Sequence, residues 1–181
     1  MPRENGASFI ILILREWVYM VKSLLAGLDK FSELYQKIMR PVLVFFYSIL
    51  TVIVLYAVFM RYVLNSAPSW SEEMSRYIMV WTALLSMAIA LREGRHIGLS
   101  SLVERVWGKY TPVAFFIADV FMFAFFATIS YTGFKMAIFV VNQRSPSMNW
   151  PMWIPYLSIP VGGVFLSLES FILMLRKLVR S

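Results

Sequence analysis

Four apolar stretches, each long enough to cross a membrane, limit what this chain can fold into. They occupy residues 41–64, 70–91, 112–134 and 154–175. A helix of about 20 apolar residues spans the ~30 Å hydrocarbon core of a bilayer. Of the 181 residues, 60% are hydrophobic and 15% are charged, which is too apolar a balance for a soluble domain. The sequence therefore predicts an all-α integral membrane protein, with a four-helix transmembrane domain over residues 41–181.

The first 40 residues have a different pattern. Their apolar run, residues 8–28, is interrupted by Arg15, Glu16 and Lys22. Arg15 and Lys22 fall within about 20° of each other on a helix, which leaves a narrow charged stripe and a wide apolar face. This pattern is typical of an amphipathic helix lying in the membrane interface. A fifth spanning helix, with its charges facing protein, is the alternative.

Basic residues set the orientation of the predicted helices. Six of the 17 lie in residues 1–40, four lie between the second and third apolar stretches, and three follow the fourth. Because Lys and Arg concentrate on the cytoplasmic side, both termini are expected to be cytoplasmic, next to anionic lipid. The tryptophans expected to anchor the opposite boundary, where indole rings prefer to lie, are Trp70, Trp150 and Trp153.

Several kinds of chemistry are excluded by residue types. The chain has no cysteine, so it has neither disulfides nor thiolate metal sites. His96 is the single histidine and cannot supply paired axial ligands to a haem within a helical bundle. The basic residues form no stripe interleaved with stacking aromatics, which argues against nucleic acid binding. We therefore expect no cofactor, no metal and no enzymatic activity.

The start of the second helix carries charges in an otherwise apolar region. Ser69 and Glu72 match the capping box, in which side chains satisfy free N–H groups at a helix start. Glu72 and Arg76 can pair one helical turn apart. Arg61, near the end of the first helix, lies at the same depth as Glu72 and Glu73, so we predict an ion-pair clamp between the two helices. An ion or substrate site is the alternative.

Two acids lie deeper in the apolar stretches. Asp119 and Glu169 are each about 10 Å from the cytoplasmic surface, at 1.5 Å per residue. They could form a cation or proton site, bond to nearby hydroxyls such as Ser167 or Ser170, or face the end of the second helix at Arg92 and Arg95. The sequence leaves these alternatives open. In the fourth stretch, the glycine pair Gly162–Gly163 predicts a close helix contact.

One part of the chain resembles a known family. Residues 59–99 contain Arg61-Tyr62, "WSEEMSRY", Trp81 and "REGRHIG", and residues 145–163 read "SPSMNWPMWIPYLSIPVGG". These motifs resemble the small, Q-type membrane subunit of tripartite ATP-independent periplasmic (TRAP) transporters. The resemblance covers about residues 41–175 and does not include the first 40. Contacts with another subunit or with lipid are expected of Tyr77, Trp81, Arg92, Arg95, His96, Gly162 and Gly163.

The resemblance implies a supporting role in the bacterial inner membrane. Such a subunit packs against a large membrane subunit, which carries the substrate with sodium, while a periplasmic binding protein delivers an organic acid such as a dicarboxylate or a sialic acid. The chain ends soon after the fourth apolar stretch, which predicts a separate subunit rather than a fused one. Two other classes remain as alternatives: the membrane anchor of a respiratory oxidoreductase and a stand-alone small exporter.

Overall fold

The structure is a computed structural model that describes residues 5–93, 108 and 111–180, with side chains for 15–17, 19–93, 108 and 111–177. This part of the chain contains five helices: α1 (Asn5–Tyr62), α2 (Ser69–Arg92), α3 (Thr111–Phe139), the short α4 (Trp153–Tyr156) and α5 (Ser158–Arg180). Four segments are long and apolar enough to span a membrane: Arg15–Tyr62, Ser69–Arg92, Thr111–Phe139 and Trp153–Lys177. The predicted all-α class with four membrane helices is confirmed.

Helix α1 is longer than the sequence suggests. The N-terminal segment and the first apolar stretch form one helix of 58 residues, which continues through Pro41 although proline removes one backbone hydrogen bond. The helix therefore does not begin at residue 41. At 1.5 Å per residue it is roughly 87 Å long, almost three times the thickness of the hydrocarbon core. That the segment over residues 1–40 lies in the membrane interface stays a prediction.

Helix α5 lies at the centre of the fold. It packs against α1, α2 and α3, whereas the backbone of α3 does not come close to that of α1 or α2 within the described residues. A small apolar core joins Ala88 and Leu91 of α2 to Leu166 of α5. The chain thus forms a group of three helices, α1, α2 and α5, with α3 attached to the outer side of α5.

The glycine pair brings α5 close to both of its main neighbours. A Cβ atom at Gly162 would lie 2.6 Å from the Cβ of Leu84 in α2, and one at Gly163 would lie 3.0 Å from the backbone of Ser130 in α3. Any larger residue would push the helices apart. Small residues at such contacts are typical of membrane helices, where close backbone approach supplies much of the attraction.

The two outer helices leave most of their apolar surface uncovered. Only 6% of the residues in the most apolar windows of α1 and α3 are buried, against 44% for α5. The accessible surface is 12906 Å², whereas a compact soluble protein of this mass exposes roughly 9,000 Å². The exposed side chains are large and apolar, for example Phe121 and Phe139 on α3. Lipid or another protein must cover this surface.

Candidate functional site

Where α1 ends and α2 begins, an ion pair joins the two helices. The guanidinium of Arg61, in the last turn of α1, contacts the carboxylate of Glu72, in the first turn of α2. Both side chains are about half exposed, at 50% and 56%. Arg61 therefore reaches one of the two acids named from the sequence. Its role as a structural clamp stays a prediction.

Glu73 has a different partner from its neighbour Glu72. It is buried, and its Oε2 atom accepts hydrogen bonds from the backbone N–H groups of Ser147 and Met148, at 3.0 and 3.1 Å. Its Oε1 atom accepts a hydrogen bond from the hydroxyl of Tyr77. Glu73 thus holds the loop between α3 and α4 against α2. Sequence reasoning missed this contact, since the loop lies more than 70 residues away.

The predicted capping box at the start of α2 is wrong. The residue before the helix is Pro68, and no side chain caps the helix start. Ser69 is already the first helical residue, so its hydroxyl is too far along the helix to act as the cap. Instead, the hydroxyl of Ser71 donates back to the carbonyl of Pro68, at 2.6 Å.

A cavity of about 640 Å³ opens beside these residues, between α2 and the segment that includes α4. Its lining includes the charged residues Glu72 and Arg76 and the apolar residues Val80 and Ile159. Arg76 forms no ion pair among the described contacts, so the predicted pair with Glu72 is not present there. The three predicted anchors near this end are each about 40% exposed: Trp70, Trp150 and Trp153.

At the other end of the helices, Asp119 is buried against a basic residue. Its carboxylate contacts the ammonium group of Lys177, near the end of α5. The Asp119 side chain is 7% exposed and that of Lys177 is 44% exposed. The acid on α3 is therefore neutralised by a cation on α5. It does not share a site with Glu169.

Glu169 is fully buried in α5 and binds the middle of α1. Its Oε1 atom accepts hydrogen bonds from the hydroxyl of Ser32, the hydroxyl of Tyr35 at 2.7 Å and the side-chain amide of Gln36 at 3.0 Å. The Tyr35 ring also stacks on Phe165, with centroids 4.5 Å apart. We call Glu169 and its three donors the Glu169 cluster. Its Oε2 atom and the Ser170 hydroxyl have no hydrogen-bond partner among the described atoms.

Ion pairs add to the attachment of α1 around the Glu169 cluster. Arg92 of α2, whose side chain is 12% exposed, contacts Glu33 at 3.0 Å, and Arg176 of α5 contacts Asp29 at 2.6 Å. Another pair joins Arg40 to Glu93 at 2.8 Å. Arg95 and His96 lie outside the described residues. Trp81, also named from the sequence, is half-buried on α2.

The acidic side chains described above are not arranged as a set of metal ligands. Across the described ranges, no group of three or more His, Cys, Asp or Glu residues could hold a metal ion. The buried acids already have protein partners: Glu73 the loop, Asp119 a lysine and Glu169 three donors from α1. Their evident use is to join segments that are distant in sequence.

Residues 50–180 match the family described as tripartite ATP-independent periplasmic transporters, DctQ component. The chain belongs to the DctQ family. The match begins within α1, so the donors of the Glu169 cluster lie before it, while Glu169 itself lies inside it. Membership makes this chain a TRAP small permease subunit and does not favour the respiratory anchor or the small exporter.

Three relatives carry related names. The chain is 27% identical over 99 residues to the isethionate TRAP transporter permease protein DctMQ of Oleidesulfovibrio alaskensis, covering 54% of this chain and 16% of that protein. It is 27% identical over 123 residues to a putative TRAP transporter small permease protein of Haemophilus influenzae, covering 66% and 74%. It is 30% identical over 99 residues to the C4-dicarboxylate TRAP transporter small permease protein DctQ of Rhodobacter capsulatus, covering 52% and 42%.

Proposed function

We propose that this chain supports a large transport subunit in the bacterial inner membrane and has no transport site of its own. The observation that carries the proposal is the use of its buried acids. Glu73, Asp119 and Glu169 each join two segments of the fold. Secondary transporters usually bind their cargo at broken helices near the membrane midplane, whereas α2 and α3 are continuous over 24 and 29 residues.

The large uncovered apolar surface of the chain agrees with a large membrane partner. The apolar surfaces of α1 and α3 are almost wholly uncovered, and an area of this size is typical of proteins that sit against lipid and other subunits. In the Oleidesulfovibrio relative, the matching segment is about a sixth of a longer permease chain. That relative supports the idea that a segment of this kind works beside a larger permease portion.

The substrate is proposed to be an organic acid anion. Two of the relatives are named for isethionate and for C4-dicarboxylates, which are both small organic anions. Sialic acids belong to the same broad class and were implied by the sequence resemblance. We place the residues that choose the substrate and bind sodium on the large subunit. A periplasmic binding protein is proposed to deliver the substrate to the assembled complex.

Reconstitution tests this division of labour. Proteoliposomes would contain this chain alone, the large subunit alone, or both, with the binding protein outside and an inward sodium gradient. Labelled isethionate, a C4-dicarboxylate and a sialic acid would be supplied in turn. We expect uptake only when both membrane subunits are present. Sodium-driven accumulation by this chain alone would contradict the proposal.

We further propose that both termini are cytoplasmic and that residues 1–40 lie along the anionic cytoplasmic face. The exposed apolar side chains of Trp17, Met20 and Leu24 support an interfacial position. Because the chain has no cysteine, Ser181→Cys would provide a single label site. An impermeant maleimide should label it only after cells are opened, and labelling of intact cells would contradict the topology.

A further inference from the structure

Two cavities lie along one side of the α1–α2 pair. The first, of about 430 Å³, is at the cytoplasmic end and is lined by Leu43, Val44, Ser86, Ile89 and Ala90, with Arg40 and Glu93 at its edge. The second, of about 260 Å³, is at the outer end and is lined by Val54, Ala57, Val58, Ser71 and Ser75, with Arg61, Tyr62 and Glu72. We call the surface that joins them the α1–α2 groove.

Helix geometry places both cavities on the same face. At about 100° per residue, their α2 residues fall within an arc of about 100°, and their α1 residues within about 140°. The α2 residues that pack on α5, among them Leu84 and Ala88, lie on the opposite side of α2. Ser71 and Ala90 are 19 residues apart, or about 29 Å, so the two cavities lie at the two ends of a face about as long as the hydrocarbon core is thick.

The α2 side of the groove differs in composition from the exposed face of α3. It contains Ser75, Ser86 and Ala90, beside larger α1 side chains such as Val44, whereas the exposed face of α3 presents side chains such as Phe121. Small and hydroxyl residues let another helix backbone approach closely, which acyl chains do not require. The charged groups at the two ends are already paired, Arg40 with Glu93 and Arg61 with Glu72. These four charges are therefore already balanced when a helix enters the groove.

We infer that the α1–α2 groove receives a transmembrane helix of the large permease subunit. The inference rests on the proposed function and assigns the contact to one face of the chain. Its length matches one membrane-spanning helix, its floor permits close approach, and α5 covers the other side of α2. The relative in which the matching segment belongs to a longer permease chain favours a permease helix over lipid or a second copy of this chain.

Cross-linking in the complete complex tests the inference. The variants Ser75→Cys and Ser86→Cys would carry a benzophenone maleimide in the groove, and Thr128→Cys would carry it on the exposed face of α3. The native chain, which has no cysteine, is the background control. We expect adducts with a tagged large subunit from both groove sites and not from Thr128. Adducts only with lipid, dimers of this chain, or equal adducts from Thr128 would overturn the assignment.

A steric variant gives an independent measurement. Ser86→Phe fills the groove, so the amount of large subunit that co-purifies should fall about tenfold, while Thr128→Phe should leave it unchanged. Native association is measured in parallel. If the native chain does not co-purify with the large subunit, the proposed function fails. If the native chain co-purifies and Ser86→Phe does so equally well, only the groove assignment fails.

Discussion

Removing one hydroxyl from the Glu169 cluster should loosen the attachment of residues 29–40, at the middle of α1, to α5. Tyr35→Phe deletes the hydrogen bond to Glu169, which is 2.7 Å long, and keeps the aromatic ring that stacks on Phe165. Tyr35 is 7% exposed and Glu169 is fully buried, so water cannot readily replace the lost bond. The substitution creates neither a large cavity nor an unpaired donor, which makes the missing bond the main change.

The stability lost in Tyr35→Phe can be estimated from the hydrogen bond that is removed. Removing one partner of a buried hydrogen bond costs about 1–3 kcal/mol of stability. Residues 29–40 are held to α2 and α5 by the Glu169 cluster and by ion pairs that are partly exposed. Losing one bond should therefore raise the population in which this segment has separated from α5. Since about 1.4 kcal/mol corresponds to a factor of ten, the increase should be roughly five- to hundredfold.

Hydrogen exchange of the purified protein in lipid nanodiscs measures this population. A segment that separates from α5 loses the packing that protects its amides, so they exchange faster. Exchange over residues 29–40 should rise in Tyr35→Phe, while exchange in α3, whose backbone does not come close to that of α1, should stay the same. Tyr47→Phe is a matched control on the exposed side of α1. Unchanged exchange in Tyr35→Phe, or an equal rise in Tyr47→Phe, would refute the reasoning.

Three further predictions concern the other contacts. Glu73→Ala removes the acceptor of the Ser147 and Met148 N–H groups, at a cost of about 1–3 kcal/mol for each donor left unpaired, seen as faster exchange in that loop. Gly162→Ala should destabilise the protein by about 1–3 kcal/mol through overpacking, whereas Gly27→Ala, with nothing within 4 Å, should not; equal unfolding midpoints would contradict this. A double-mutant cycle on Arg61 and Glu72 should give a coupling of about 1 kcal/mol, given their exposure; a coupling of zero would remove the clamp.

The helices could be predicted from the sequence because their signal is local. An uninterrupted apolar stretch of about 20 residues has few other folds available to it. The ion pair between Arg61 and Glu72 could also be predicted, because a short connection holds the two helix ends together. The Gly162–Gly163 contact was suggested by residue size alone, although the sequence did not say which helices would meet there.

The remaining contacts could not be predicted because both partners must be placed first. Glu169 binds residues of α1 that are more than 130 positions away, and no local pattern marks Ser32 or Tyr35 as its donors. The alternatives that stayed open for this acid did not include a partner on α1. The capping box failed for a different reason. The motif was present, but a capping residue must come just before the first helical residue. Ser69 is itself the first helical residue, and Pro68 occupies the capping position.

The polar contacts also explain how so apolar a chain holds one arrangement. Within a membrane, lipid tails are as apolar as leucine, so burying leucine against another helix gains little. Specific attraction must come from hydrogen bonds, ion pairs and close packing of small residues. In this fold, α1 is joined to α5 by the Glu169 cluster, α3 to α5 by Gly163 and the Asp119–Lys177 pair, and the loop between α3 and α4 to α2 by Glu73. The buried acids and the glycine pair therefore specify which segments pack together, and the exposed apolar side chains are left free to face lipid or a partner subunit.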